Sequence, residues 1–248
     1  MENVGLGTEK IEDDLKILLP NVRVQRMDLD TTRSKNAYQQ IINDFEKHEV
    51  DILVGTQMIS KGLDFDNVSL VGIFDADKML HFPDFRAHER AFQMLSQVSG
   101  RAGRKNDKGR VIIQTQKVEQ TILHQVIAND YESMYLSEIE DRAYYFYPPF
   151  TRVIRIIVKH LDKDVSEKIA AILAQNLQAK LGKARVLGPQ PNIINRIRNM
   201  FLFNLLIKIE RENVDLKAVK IFIREKVEEI ITEKEYKKAI IVVDVDPM

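Results

Sequence analysis

The run Tyr144-Tyr-Phe-Tyr-Pro-Pro-Phe150 does most to limit what this chain can fold into, because a helix cannot continue through Pro148 and Pro149. It reads as a domain boundary carrying an aromatic plug. The 248 residues are therefore expected to form two domains, 1–146 and 147–248, each long enough for its own core. Ahead of the break, short apolar runs alternate with amphipathic stretches. Thr8 is placed as the N-cap of a helix through Leu18, stopped before Pro20. A strand at Val22–Met27 leads into the acidic, hydroxyl-rich turn Asp28-Leu-Asp-Thr-Thr32. A helix follows over 34–47, then strands at 51–55 and 68–74. An amphipathic stretch from Asp84 carries Ala87, Ala91, Met94, Leu95 and Val98 on one side, and a strand at 109–115 closes the set. Strands alternating with helices predict parallel pairing through βαβ crossovers, an α/β domain whose functional loops gather beyond the carboxyl ends of the strands. Helices are expected over 118–129 and 131–144.

Beyond the break the expected order is strand 152–158, helix 164–181, strands 184–187 and 201–209, helix 214–231 and strand 239–245. That order fits a small α+β domain of the split βαβ type. The connection from Gly188-Pro-Gln-Pro-Asn192 to Arg196-Ile-Arg198 is then an exposed basic loop or hairpin.

A net charge of zero hides an asymmetry between the halves. Residues 151–248 hold 19 Lys and Arg against 13 Asp and Glu, and residues 1–150 hold 18 against 24. A basic second half points to a polyanionic partner, or to salt-bridged helix faces. Cysteine is absent, which excludes disulfides and thiolate metal sites and fits a reducing compartment. Five scattered histidines form no H-E-x-x-H, so no metal site is expected. No apolar run reaches the roughly 20 residues needed to span a bilayer.

The chemistry-bearing stretch is Gln97-Val-Ser-Gly-Arg-Ala-Gly-Arg104, spaced Q-x-x-G-R-x-G-R. On a helix Arg101 and Arg104 share a face, and Ala102 and Gly103 leave room for close approach. A guanidinium stays charged and presents a fork that matches phosphate oxygens, so this pair suits the charge that builds on a γ-phosphate during transfer. A second stretch, Gly55-Thr-Gln-Met-Ile-Ser-Lys-Gly-Leu-Asp-Phe65, falls short of a P-loop. Ser60-Lys61-Gly62 stands where G-K-[ST] is required, so no hydroxyl follows the lysine to hold magnesium. The chain carries half of a nucleotide site.

GTQMISKGLDF, VSLVGIFDAD, PDFRAHERAFQMLSQVSGRAGR and GRVIIQT together resemble the second helicase lobe of the PriA (primosomal protein N′) family, replication-restart helicases of superfamily 2. Gly7-Thr8-Glu9, Arg26-Met-Asp28-Leu-Asp30-Thr31 and Tyr147-Pro-Pro-Phe150 resemble the same family in the same order. The resemblance covers essentially the whole chain and is looser after Phe150. It implies a RecA-like lobe followed by the family's C-terminal domain, and ATP-driven 3′→5′ DNA unwinding in primosome assembly and restart of stalled forks. It implies that Gln97, Arg101 and Arg104 reach the ATP phosphates, that Gly62 and Asp64 lie near the nucleotide, and that Thr56, Gln57 and Lys61 face the nucleic-acid backbone. For the C-terminal domain it implies contact with DNA and with the tail of single-stranded DNA-binding protein, for which Arg152, Arg155, Arg196, Arg198 and Lys208 are the basic candidates. Where the family often repeats arginines after the position of Arg198, this chain has Met200-Phe-Leu-Phe203, better read as strand core.

The family's P-loop, Asp-Glu box and zinc-binding cysteines lie ahead of the matched region. The chain is therefore expected to be a C-terminal fragment, inactive alone as an ATPase. ATP, Mg²⁺ and zinc are expected to belong to the full-length protein, which is expected in the cytoplasm with branched and single-stranded DNA and primosome loader proteins as partners. Two other readings remain at this stage: a stand-alone DNA- or protein-binding module, and another superfamily 2 helicase.

Overall fold

The computed structural model describes residues 7–56, 68–100, 109–212 and 214–247. The chain divides into two compact units, Met1–Leu136 and Ser137–Met248. The first contains α1 (Thr8–Leu18), β1 (Val24–Met27), α2 (Lys35–Glu46), β2 (Ile52–Gly55), β3 (Leu70–Ile73), α3 (Ala76–Leu80), α4 (Ala87–Ser99), β4 (Arg110–Ile113) and α5 (Thr121–Ala128). Helix α6 (Tyr131–Tyr144) runs across the division.

Strands β1 and β2 pair in parallel, Val24 opposite Ile52 through Met27 opposite Gly55. Strands β3 and β4 form a second parallel pair, Leu70 opposite Arg110 through Ile73 opposite Ile113. The first pair carries α1 against it, and Met27 packs with Ile41 and Ile42 of α2. In the second, Ile73 and Ile113 lean on a cluster of Leu80, Phe92, Leu95, Ile122 and Met134. Phe92, absent from the expected apolar stripe of α4, is among its buried members. Ser34 caps α2 by accepting from the Ala37 N–H at 3.1 Å. The first helix differs from expectation at its start. Gly7, with extended backbone, is the N-cap and Thr8 the first helical residue, its hydroxyl donating to Asp28 Oδ2 at 2.7 Å.

The second unit follows the expected order: β5 (Thr151–His160), α7 (Lys163–Leu181), β6 (Val186–Ile197), β7 (Met200–Glu210), α8 (Leu216–Thr232) and β8 (Ile240–Val245). The sheet order is β6-β7-β5-β8 with every neighbour antiparallel. Alternate residues of the central strands, Ile154, Ile156 and Val158 with Leu205, Ile207 and Ile209, meet Ile169, Leu173 and Leu177 of α7 and Ile223 of α8. Asp162 and Asp215 cap the two helices through their carboxylates.

The segment expected as a basic loop or hairpin is a hairpin. Strand β6 continues to Ile197, and the chain reverses at Arg198-Asn199, both with positive φ (48° and 64°), so that Ile197 faces Met200. Two such residues make the tight turn whose twist matches paired strands. The other end of β6 depends on Gly188, whose φ of 100° disfavours any side chain. A Cβ there would lie 2.7 Å from the Asn204 carbonyl oxygen. Gly188→Ala is expected to cost on the order of 1–3 kcal/mol from backbone strain alone, read as faster amide exchange along β6 and β7. Unchanged exchange would mean that the strand shifts to accept a side chain.

Candidate functional site

In parallel strands the carboxyl ends share one edge, so the turn after Met27 and Thr56, just beyond Gly55, leave their sheet on the same side. The turn is held by Asp28, which is 8% exposed. Its carboxylate accepts from the Thr8 hydroxyl at 2.7 Å and from the Asp30 and Thr31 N–H groups at 3.0 Å each. The Thr31 hydroxyl accepts from the Asp28 N–H at 2.9 Å. Arg26 sits 3.2 Å from Asp28 and 3.7 Å from each of Glu9 and Glu12. Two stretches that look separate in sequence, Gly7-Thr8-Glu9 and Arg26–Thr31, are thus one knot joining the start of α1 to the end of β1.

Burial pushes the Asp28 carboxyl up. The Thr8 hydroxyl, the Thr31 and Asp30 N–H groups and the Arg26 charge outweigh it and hold the carboxyl below the ordinary carboxylate value. A depressed folded pKa adds stability that is present above the unfolded value and is lost as pH falls through the folded one. Thr8→Val is expected to raise the Asp28 pKa and to shrink its share of the stability lost on acidification, as read by carboxyl NMR titration. An unmoved pKa would mean that the backbone donors alone set it.

At the carboxyl ends of β3 and β4 a second carboxylate does similar work. Asp77 accepts from the Gln116 N–H at 2.7 Å, the Thr115 hydroxyl at 3.0 Å and the Gln120 side-chain amide at 3.2 Å. The Gln116 N–H is the main reason that its pKa lies below the ordinary value. Asp75 takes a left-handed conformation (φ 51°), and its carboxylate is paired with Lys78 at 2.8 Å. These contacts fix the loops that follow both strands. Asp77 closes the stretch VSLVGIFDAD, but its role is not visible there because its partners lie 38 to 43 residues away.

Thr56 is exposed at its strand end, and Gln97 is exposed in the last turn of α4, three residues before the helix stops at Gly100. The expectations on Gln57, Lys61, Gly62, Asp64, Arg101 and Arg104 fall outside the described residues. Among the described residues no helix is long and apolar enough to cross a membrane.

The five basic residues of the second unit do not converge. Arg152 and Arg155 on β5 and Lys208 on β7 lie toward one end of the sheet, with Lys208 opposite Val153. Arg196 and Arg198 lie at the other end, about 25 Å away along β7 at ~3.3 Å per residue. Arg152 is paired with Asp246 at 2.6 Å and Arg155 with Asp244 at 3.1 Å. Lys208 donates to the Tyr145 carbonyl at 2.7 Å and sits 3.6 Å from the centre of the Tyr147 ring. Burial lowers the Lys208 pKa. Arg196 lies 5.1 Å from the Phe201 ring centre, and Arg198 stands exposed in the turn. Among the described residues neither has an acidic partner, so the hairpin carries the less compensated charge. Residues 168–209 contain seven Lys and Arg and no Asp or Glu, although Lys168 pairs with Glu235 and Arg185 with Glu210.

The helicase conserved C-terminal domain model matches residues 6–106, and the primosomal protein N C-terminal domain model matches residues 144–248. The replication restart protein PriA of Bacillus subtilis is 39% identical over 244 residues, 98% of this chain and 30% of that protein. The Chlamydia trachomatis protein of the same name is 35% identical over 98% of the chain and 32% of its own length. That of Treponema pallidum is 39% identical over 82% of the chain and 31% of its own length. The chain thus spans about a third of these relatives. Matched along nearly its whole length, with helicase and primosomal C-terminal models in sequence, the chain belongs to the family of the replication restart protein PriA.

Proposed function

We propose that this chain is the second helicase lobe and C-terminal domain, residues 1–146 and 147–248, of an ATP-dependent 3′→5′ DNA helicase that acts in primosome assembly and restart of stalled replication forks. The observation that carries this reading is the Q-x-x-G-R-x-G-R run of Gln97 to Arg104 within a helicase C-terminal match that a primosomal match follows. In this reading Gln97, Arg101 and Arg104 meet the ATP phosphates, Gly62 and Asp64 lie beside the nucleotide, and Thr56, Gln57 and Lys61 hold the DNA backbone. Phosphate contacts of that kind position a strand without reading its sequence. The chain's own residues do not fit a complete magnesium–nucleotide site, since Ser60-Lys61-Gly62 lacks the hydroxyl after lysine. ATP and Mg²⁺ therefore act in the full-length protein, which also holds the zinc, and this chain alone is inactive as an ATPase. Single-stranded DNA-binding protein and primosome loaders are the protein partners, and the setting is the cytoplasm.

Arg152, Arg155, Arg196, Arg198 and Lys208 make up the DNA-facing charge of the second unit, and the two hairpin arginines contribute most because carboxylates do not hold them. Binding of the 248-residue chain to single-stranded and forked DNA, followed by fluorescence anisotropy, is expected to weaken steeply with salt. The log–log slope should be about −0.7 to −0.9 per phosphate neutralised. Equal affinity at low and high ionic strength would exclude an electrostatic site.

A further inference from the structure

We propose that the β6–β7 hairpin is an apolar wedge that enters the branch point of forked DNA, an inference that rests on the DNA-binding reading above. Pro191 faces Phe203 and Arg196 faces Phe201, so the four residues 192–195 stand opposite Leu202 alone. The edge strand therefore swells outward between two paired positions. At the crest are Ile193 and Ile194, 63% and 61% exposed, with Ile197 at 46% beside the turn. Asn192 and Asn195 flank the crest, and the Asn192 side-chain oxygen accepts from the Ile193 N–H at 2.8 Å.

Adjacent β-branched apolar side chains at this exposure on a sheet edge invite aggregation unless something covers them. A pairing strand is a poor cover, because Pro189 and Pro191 remove donors and the bulge breaks the register. The charge around the crest favours a polyanion. Arg196 and Arg198 follow immediately, both exposed, and among the described residues neither is paired with a carboxylate. Apolar side chains slid between base steps and backed by cations on the phosphates are an established way to unstack a duplex. A branch point is the natural target, since its terminal pair is already unstacked on one side and costs least to part.

The hairpin is braced for such use. The Arg198-Asn199 turn, the stacking of Arg196 on Phe201 and the Gly188 close approach hold both strands, so the crest is presented by a rigid support.

The test uses the 248-residue chain and a forked duplex with 2-aminopurine at the first pair of the branch. Binding is expected to raise the probe's fluorescence, with no rise when the same probe sits inside an unbranched duplex. Ile193→Ala with Ile194→Ala changes only exposed side chains. At protein concentrations that anisotropy shows to saturate the fork, it should lose the rise. Arg196→Ala with Arg198→Ala should weaken binding and reduce the salt slope by about one to two. Binding without a rise, or an equal rise in the isoleucine variant, overturns the wedge and leaves the DNA-binding reading standing. If no DNA binds, that reading falls with the wedge, and the isoleucines become a surface for a protein partner.

Discussion

Replacing Arg104 by alanine in the full-length protein is expected to reduce DNA-stimulated ATP hydrolysis by roughly 10³–10⁵-fold, the range that an arginine finger contributes to phosphoryl transfer, while DNA affinity stays nearly unchanged. The effect lies in kcat because the guanidinium neutralises charge that is greatest in the transition state. Lysine at position 104 should restore only part of the rate, since a point charge lacks the planar fork. Thr56→Ala is expected to do the reverse, weakening the coupling of hydrolysis to DNA more than the basal rate. The 248-residue chain serves as the blank, with no turnover above background in the presence of single-stranded DNA. Steady-state hydrolysis and anisotropy on the same preparations decide the matter. If Arg104→Ala keeps full stimulated hydrolysis and loses DNA, the arginines hold the strand, and the roles assigned to Gln97, Arg101 and Arg104 are wrong.

Most elements of both units follow from local signals because local physics dominates them, the short helix α3 and the far half of β6 excepted. Apolar alternation at 152–158 and 201–209 places β5 and β7, and the 3.6-residue stripe at 164–181 places α7. Long-range partners are a different matter. Nothing near Thr8 shows that its hydroxyl serves Asp28 twenty residues on, so a cap assignment is the natural reading and the wrong one. The same distance blindness makes Arg152 and Arg155 look like open cations, although Asp246 and Asp244 lie 94 and 89 residues away in sequence. The expected strand is 184–187, with Pro189 and Pro191 in the connection after it, whereas β6 runs to Ile197. It continues because it is an edge strand, where a proline forfeits no ladder partner on its outer side. The bulge that exposes Ile193 and Ile194 is set by register against β7, which no pattern in 186–197 specifies alone.

Leu205→Ala is expected to destabilise the second unit by about 2–5 kcal/mol, and Leu206→Ala by far less. The two leucines are neighbours on the same strand, and successive side chains of a strand point to opposite faces. Leu205 faces Ile156 across β7 and β5, is fully buried, and belongs to the core beneath α7 and α8. Removing it forfeits the burial of a whole leucine side chain, about 1.5–3 kcal/mol, and leaves a cavity that a close-packed interior cannot fill by relaxation. Leu206 lies opposite Arg155 and Leu187 on the other face and is only half buried, so solvent occupies what its truncation opens. Amide exchange along β5 and β7 measures both, with about tenfold faster exchange for each 1.4 kcal/mol lost. Equal acceleration in the two variants would mean that the sheet is covered on both faces. Greater acceleration in Leu206→Ala would mean that β7 is paired one residue out of register, with the core on the face now assigned to Arg155, Asn204 and Lys208.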